Sequence, residues 1–316
     1  MHCRMYAINV DNCTSIADFV LAGLEVQGDL QVILYLSLLI MYILGLAANL
    51  SIIIIPIFNP TLHTPMYFFL YNLAFLDICY SSVVVPRMFA DFMSQKKMIS
   101  FGGCMLQVHF FHFLGSTEVV LFSAMSYDRY VAIAHPLRYT TIMSYNVCFA
   151  LASCSWVIGF FHASVHSIMT ARLPFCGPKI VKHFFCDVKP LLNLASADVS
   201  LNFKLLIRVT GTLATTTLLL TILFYALISK FLMKIKTSQG RKRALSTCSG
   251  HFTVVTLQYG TAIFTYMRPS SEKSLDQDRS AAIMFSVITP ALNPIIYTLR
   301  NKDMIKALKR LFKKSH

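Results

Sequence analysis

Residues 32–58 read VILYLSLLIMYILGLAANLSIIIIPIF, and none of these side chains carries a charge. About 20 apolar residues in a helix are enough to cross the hydrocarbon core of a bilayer. Because that core holds no water, the backbone of a spanning segment must satisfy its own hydrogen bonds, as a helix does. The stretch therefore predicts a membrane-spanning helix.

Six further apolar blocks follow along the chain. The seven predicted spans are Val32–Phe58, Met66–Val85, Gly103–Ala132, Val147–Ile168, Leu205–Ile228, Ala244–Met267 and Ser280–Leu299. The blocks lack the alternation of barrel strands, and the internal repeat of many transporters is not visible. We predict an all-α membrane protein, a seven-transmembrane helix bundle.

Composition argues against a soluble protein. The chain is 56% hydrophobic and 13% charged, against about 25% charged residues in soluble domains. In a soluble chain the net charge of +14 would raise the question of nucleic acid. Here the basic residues lie between apolar blocks, so they indicate loops held at the cytoplasmic face, with no nucleic-acid partner.

The distribution of charge also predicts the orientation. Residues 1–31 carry one arginine and four acids, whereas basic residues crowd the segment 230–243 and the tail. Because positive loops stay inside, we predict a plasma-membrane protein with an extracellular segment (1–31), a membrane domain (32–300) and a cytoplasmic tail (301–316). Apolar residues at helical spacing predict an amphipathic helix in the tail, with a disordered basic tail as the alternative.

Several features fall on the predicted outer side. Asn12 begins an Asn-Cys-Thr glycosylation acceptor. Cys104 lies near the outer end of the third span, and Cys176 and Cys186 lie in the long loop of about residues 170–204. Disulfides are expected in that oxidising compartment, but spacing alone does not choose the pair.

Three polar residues lie inside the predicted spans: Asn49, Asp77 and Glu118. Ionisable groups at this depth are costly and are candidates for function. The two acids allow a sodium- or proton-linked switch, or a single protonated carboxyl held by hydrogen bonds. A catalytic pair is disfavoured because no nucleophile or metal motif accompanies it, so we predict no enzyme activity.

Two motifs end spans on the cytoplasmic side. Asp128-Arg129-Tyr130 ends the third span, and Asn293-Pro294-Ile295-Ile296-Tyr297 ends the seventh. A proline inside a helix frees a carbonyl and permits a kink. In this order and on the same side, the motifs indicate a moving part near the inner face.

Five sequence motifs together resemble the odorant receptors, a branch of the rhodopsin-like G-protein-coupled receptors. They read LHTPMYFFL from Leu62, MSYDRYVAI from Met125, PLRY from Pro136, RALSTCSGH from Arg243 and PALNPIIYTLRN from Pro290. The resemblance covers nearly the whole chain and implies an odorant that binds among helices three, five, six and seven. The inner ends would then separate and admit a stimulatory G protein that raises cyclic AMP.

The resemblance also implies roles for single residues. Arg129 would contact the G protein, and Cys104 would bond Cys186. Ser196 stands where the family usually has the partner of Cys176, so Cys176 is either free or paired with an N-terminal cysteine. Two other functions remain open: a receptor for an endogenous metabolite outside the nose, and a transporter.

A candidate ligand pocket combines spacing with the resemblance. Val108, Phe111, His112, Gly115 and Val119 share one face of the third span by 3–4 spacing. The resemblance adds Ala262 and Tyr266 on helix six and Ser286 on helix seven. Ser116 on helix three is a further polar candidate. The polar members would orient a carbonyl, alcohol or acid, or else only pair neighbouring helices.

Four histidines have a spacing that zinc or copper sites also use: His109 with His112, and His162 with His166. The alternative, which we favour, is that these rings pack between helices or face a loop. We therefore predict no metal site among them.

The basic start of helix six predicts an unusual resting state. Many rhodopsin-like receptors pair the helix-three arginine with an acid there, but this chain has Arg241-Lys242-Arg243. Like charges repel, so that pair cannot form. We predict that the resting state relies on Asp128 and on contacts near His251 and Tyr259.

Overall fold

The structure, a computed structural model, describes residues 18–24, 28–94, 97–177, 179–234, 237–266, 272–298 and 304–306. Long helices dominate this part of the chain: α1 (Asp29–Ile54), α2 (Pro65–Met93), α3 (Phe101–Ala134), α4 (Tyr145–Ala171), α5 (Ser200–Lys234), α6 (Ser238–Tyr266) and α7 (272–298). Short helices cover Tyr139–Ile142 and Val188–Leu192. The predicted helix bundle is confirmed.

Six of these helices, all except α6, are long and apolar enough to cross a membrane. Helix α6 contains 29 residues, a length of about 44 Å at 1.5 Å per residue, and it packs against α3, α5 and α7. The outward faces are apolar, as in α1, where Ile33 and Leu44 are more than half exposed. Apolar side chains on the outside and polar ones inside indicate lipid as the solvent.

The helices extend beyond the predicted apolar blocks because their polar ends project past the hydrocarbon. Helix α6 begins at Ser238, six residues before the predicted block, and α7 begins at Glu272. Two helices contain a π-helical turn, at Leu206–Thr210 in α5 and at Met284–Ile288 in α7. Such turns recur at functional sites.

Helix α3 is the centre of the bundle and packs against α2, α4, α5 and α6. Its start is capped by Ser100, whose hydroxyl accepts a hydrogen bond from the Gly103 N–H at 3.2 Å. The approach of α4 is close at Gly159, where an added Cβ would lie 2.1 Å from Thr117 Oγ1 and 2.8 Å from the Phe113 carbonyl oxygen. Small residues permit such close helix contacts in membranes.

A small sheet closes one end of the bundle, which we call the strand end. Strand β1 (Phe19–Leu21) lies between β2 (Met98–Ile99), to which it is antiparallel, and β3 (Ile180–Val181), to which it is parallel. Sequence patterns missed these strands because two or three residues are too few for alternation to be recognised.

The loop between α4 and α5 forms a roof beneath this sheet. Phe184 and Phe185 are fully buried in the core, and the Phe185 ring lies 4.7 Å from that of Phe111 in α3. A disulfide joins Cys104 at the start of α3 to Cys186 in the loop, with 5.4 Å between the Cα atoms. The roof is therefore fixed directly to the central helix.

We predict that Gly159→Ala lowers the melting temperature of the purified protein. The new methyl group would overlap Thr117 and the Phe113 carbonyl, and overpacking of this kind costs about 1–3 kcal/mol. Gly211→Ala is the matched control, since nothing lies within 4 Å of a Cβ at that helical position. Equal melting temperatures for the two variants would contradict the close contact.

Candidate functional site

An internal cavity of about 80 Å³ lies between the helices below the roof. Its lining comes from α2 to α7: Tyr80, Phe111, His112, Gly115, Ser116, Val119, His162, Thr210, Leu213, Ala214, Gln258 and Phe285. The predicted face of α3 thus contributes four of its five members. Spacing on one helix was enough to find them because they share a single stripe.

Two other predicted pocket residues, Val108 and Ser286, do not line this cavity. Val108 is fully buried in a separate cluster with Phe19 of β1, under the strand end. Ser286 is buried in α7, where its hydroxyl donates to the Ala282 carbonyl at 2.7 Å. Ala262 and Tyr266 lie on α6, and their side chains fall outside the described part of the structure.

Hydrogen bonds join α3, α4 and α5 along one side of the cavity. Ser116 Oγ lies 2.7 Å from His162 Nδ1, and His162 Nε2 lies 3.1 Å from Thr210 Oγ1. Thr210 Oγ1 is also 3.2 Å from His166 Nε2. These histidines lie between helices, which is the alternative favoured over a metal site from the sequence. Thr210 was not predicted, because the periodicity of one helix does not reveal contacts across helices.

His112 connects the cavity to the roof. Its Nε2 lies 3.0 Å from Asp187 Oδ1, which also accepts a hydrogen bond from the Val188 N–H at 2.7 Å. Burial raises the pKa of Asp187, but its hydrogen bonds with His112 and the Val188 N–H, and its electrostatic interaction with the His112 and His183 rings, outweigh burial and leave the pKa below its ordinary value. Asp187 is therefore a carboxylate at neutral pH.

His183 stands beside this carboxylate as a neutral ring. Its complete burial lowers its pKa to about 4, and the attraction of Asp187 does not reverse this because Arg279 opposes it. The Arg279 guanidinium in α7 donates to the Lys182 carbonyl at 3.2 Å. The roof is thus held from α3 and from α7.

Metal-site geometry is absent from the histidines that the structure describes. No group of three or more His, Cys, Asp or Glu side chains there is arranged to hold a metal ion. His109 instead has Nδ1 at 3.0 Å from Ser167 Oγ, across the contact between α3 and α4. The histidines bond helices to one another.

A polar centre lies deeper in the bundle. The Asn293 side chain donates to both carboxyl oxygens of Asp77, at 3.0 and 3.1 Å, and Gln258 donates to Glu118 Oε2 at 2.8 Å. Asn49 donates to the Pro290 carbonyl at 2.9 Å, which joins α1 to α7. All three polar residues predicted inside the spans are buried.

The donor set of this polar centre fits a small hard cation. Glu118 Oε1, Asn49 Oδ1 and Asn293 Oδ1 are buried without a hydrogen-bond partner among the described residues. Two buried carboxylates repel each other unless a proton or a cation lies between them. A proton shared at Asp77 and Glu118 would relieve this repulsion, and so would a sodium-like ion, which prefers oxygen ligands.

At the end of the bundle opposite the strands, Asp128 and Arg129 are buried in α3. The Tyr139 hydroxyl donates to Asp128 Oδ1 at 2.7 Å, and Arg129 Nη2 lies 3.8 Å from Asp128 Oδ2. Burial and the charge of Asp128 raise the pKa of Tyr139, so its hydroxyl stays protonated and remains a donor. Tyr130 packs beside Phe224 of α5.

Helices α5 and α6 are bonded near this end through Tyr225 and His251. The Tyr225 hydroxyl lies 2.7 Å from His251 Nδ1, and Tyr259 donates to the Val119 carbonyl at 3.4 Å. Pro294 lies inside α7, and the Tyr297 hydroxyl is buried without a partner among the described residues. The side chains of residues 241–243 fall outside the described part.

Cys176 is disulfide-bonded. The other described cysteines are either free or joined as Cys104–Cys186, so its partner is not among them. Ser196, at the position of the missing loop cysteine, accepts a hydrogen bond from the Cys176 N–H at 3.0 Å. Asn12 and most of the predicted tail helix fall outside the described residues, although 304–306 is helical.

Comparison with known proteins finds one family profile and individual proteins that carry the same family description. The sequence profile of a family described as "Olfactory receptor" matches residues 38–315. The human Olfactory receptors 12D1 and 12D3 are each 50% identical to this chain over 96% of its length, which covers 95% and 96% of those proteins. The mouse Olfactory receptor 5G9 is 43% identical over 96% of this chain and 97% of its own length.

We predict that sodium raises the melting temperature by about 2–4 °C relative to choline at equal ionic strength, because a ligand bound only by the folded state stabilises it. The Glu118→Gln variant removes one of the two charges and should lose most of this difference. Asp198→Asn, at an exposed carboxyl, is the matched control and should keep it. The cation assignment fails if wild type melts identically in both salts.

Proposed function

The chain belongs to the olfactory receptor family, and from that premise we propose that it binds a small, volatile odorant between its helices and activates a stimulatory G protein, which raises cyclic AMP. A receptor, rather than an enzyme, is the class to which its relatives belong.

One observation carries the proposal: a single helix contains the cavity wall, the polar centre and the motif at the far end. Helix α3 runs from Phe101 to Ala134 and carries Ser116 at the cavity, Glu118 in the polar centre and Arg129 beyond it. A shift of this helix caused by a ligand would reach all three places, since packed interiors deform as units.

We further propose that the strand end is extracellular and that the Arg129 end faces the cytoplasm, in the plasma membrane. The disulfide between Cys104 and Cys186 supports this orientation because disulfides persist in oxidising compartments. The basic segment 230–243 would lie inside, as positive loops do. Asn12 would then be available for glycosylation.

Signal transfer would require the ends of α5, α6 and α3 to separate. In the proposed resting state Tyr139 would hold Asp128 beside Arg129, and Tyr225 would hold His251 across α5 and α6, as their hydrogen bonds allow. Release of these bonds would free Arg129 and Tyr130 for a G protein. The Asn293-Pro294 kink and Tyr297 in α7 would provide the flexible element near the polar centre.

We predict that a cell line with a cyclic AMP reporter responds to at least one member of a broad odorant panel. Arg129→Ala should abolish the response while surface labelling stays unchanged, because the arginine would contact the G protein and not the ligand. Arg138→Ala, at the next arginine along the chain, which is exposed, is the matched control and should keep the response. Signalling that survives Arg129→Ala would contradict the coupling role.

We also predict that loss of either resting contact raises basal cyclic AMP. Asp128→Ala and His251→Ala each remove a hydrogen bond of about 1 kcal/mol, equivalent to about a fivefold shift between states. Tyr139→Phe should act like Asp128→Ala, whereas Tyr145→Phe, at an exposed tyrosine, should have no effect. The proposed lock would be disproved if Asp128→Ala, His251→Ala and Tyr139→Phe all left basal cyclic AMP unchanged.

A further inference from the structure

Four side chains from three helices form a continuous hydrogen-bond chain beside the cavity, here called the hydroxyl–imidazole chain: Ser116, His162, Thr210 and His166. The first three line the cavity, and His166 lies behind them, with its ring centre 4.7 Å from that of His162. The serine and both histidines are buried. These groups therefore bond to one another or to a ligand, since water has little access.

The chain can run in either direction. A neutral imidazole has one donor and one acceptor nitrogen, and a hydroxyl both donates and accepts. If His166 donates to Thr210, Thr210 donates to His162 and His162 donates to Ser116, then the Ser116 proton is available to an oxygen in the cavity. In the reverse direction, Ser116 donates to His162 and its oxygen accepts from the cavity.

A second polar side chain, Gln258, lines the same cavity and needs a hydrogen-bond donor. Gln258 of α6 lines the cavity, and its amide nitrogen donates to Glu118 at 2.8 Å. Its carbonyl oxygen Oε1 is buried and has no hydrogen-bond partner among the described residues. A buried acceptor without a partner is costly, so this side of the cavity favours a ligand that brings a donor.

Charge selects against ions in the cavity. Its described lining contains no lysine, arginine, aspartate or glutamate side chain. The nearby carboxyl groups are already bonded, Asp187 to His112 and Glu118 to Gln258, and the charged Asp187 repels an anion. An ammonium ion would lose its water without a carboxylate in the lining to replace it.

From these observations we propose that the ligand class of this receptor is a small neutral alcohol. Its hydroxyl oxygen accepts from Ser116, and its proton is donated to Gln258 Oε1. Its hydrocarbon part packs on apolar walls, where Tyr80 stacks on Phe111 with ring centres 5.0 Å apart. The cavity of about 80 Å³ has roughly the volume of three liquid waters, so larger alcohols must push the walls outward.

This inference rests on the proposed receptor function, and its test separates the two. Reporter cells are exposed to four matched series of four to seven carbons: secondary alcohols, the corresponding 2-alkanones, n-alkanes and carboxylates. Alcohols should activate at about tenfold lower concentrations than the matching ketones, because a ketone leaves Gln258 without a donor. Alkanes and carboxylates should be silent.

Variants of the hydroxyl–imidazole chain supply the second measurement. Ser116→Ala and Thr210→Val preserve side-chain size, and each should raise the half-maximal concentration for alcohols about tenfold and reduce the preference for alcohol over ketone. A merely structural role would shift both ligand series equally. Ser164→Ala and Thr256→Val are the matched controls, since their hydroxyls donate within their own helices on exposed faces.

Three results would overturn the inference: a stronger response to ketones or carboxylates than to alcohols, an unchanged alcohol preference in both chain variants, or silence toward every alcohol. In the last case, basal cyclic AMP that still falls in Arg129→Ala would leave the receptor function standing. Loss of that dependence as well would count against the proposed function itself.

Discussion

The absence of a side chain at Gly159 is the constraint on which the ligand region depends. It allows α4 to lie against the Phe113 carbonyl and Thr117 of α3, closer than any other residue would permit. One turn further along α4 is His162, and a second turn brings His166. Their rings reach Ser116 and Thr210 because the two helix axes already lie close together at that level.

Below this contact, the polar groups of the bundle are paired across helices. Water does not reach the middle of a membrane bundle, so each buried amide or carboxyl must find its partner on another helix. Asn49 joins α1 to α7, Asp77 joins α2 to α7, and Glu118 joins α3 to α6. Among the described residues, Glu118 Oε1, Asn49 Oδ1 and Asn293 Oδ1 have no hydrogen-bond partner, so the polar centre has acceptors left for a proton or an ion.

Much of the fold could be predicted from sequence because hydrocarbon imposes a length and a composition on every helix. The cavity face of α3 followed from periodicity for the same reason, since Phe111, His112 and Gly115 lie on one stripe. Thr210 and Gln258 could not be found in this way, because their neighbours belong to other helices. The pairing of Asp128 with Tyr139 was equally hidden, since the sequence does not show how the short helix after α3 folds back.

The order of the strands has a consequence for biogenesis. Strand β1 is made first, yet its two neighbours arrive about 80 and 160 residues later, and it is the middle strand of the sheet. Strand β1 can therefore pair with β2 once α1 and α2 have been inserted, but it can pair with β3 only after four helices have been inserted and the start of the long loop has been synthesised. Closing loops of that length carries an entropic cost, so the sheet is completed late. If one of the four helices failed to insert, strand β1 would lack the neighbours with which it pairs.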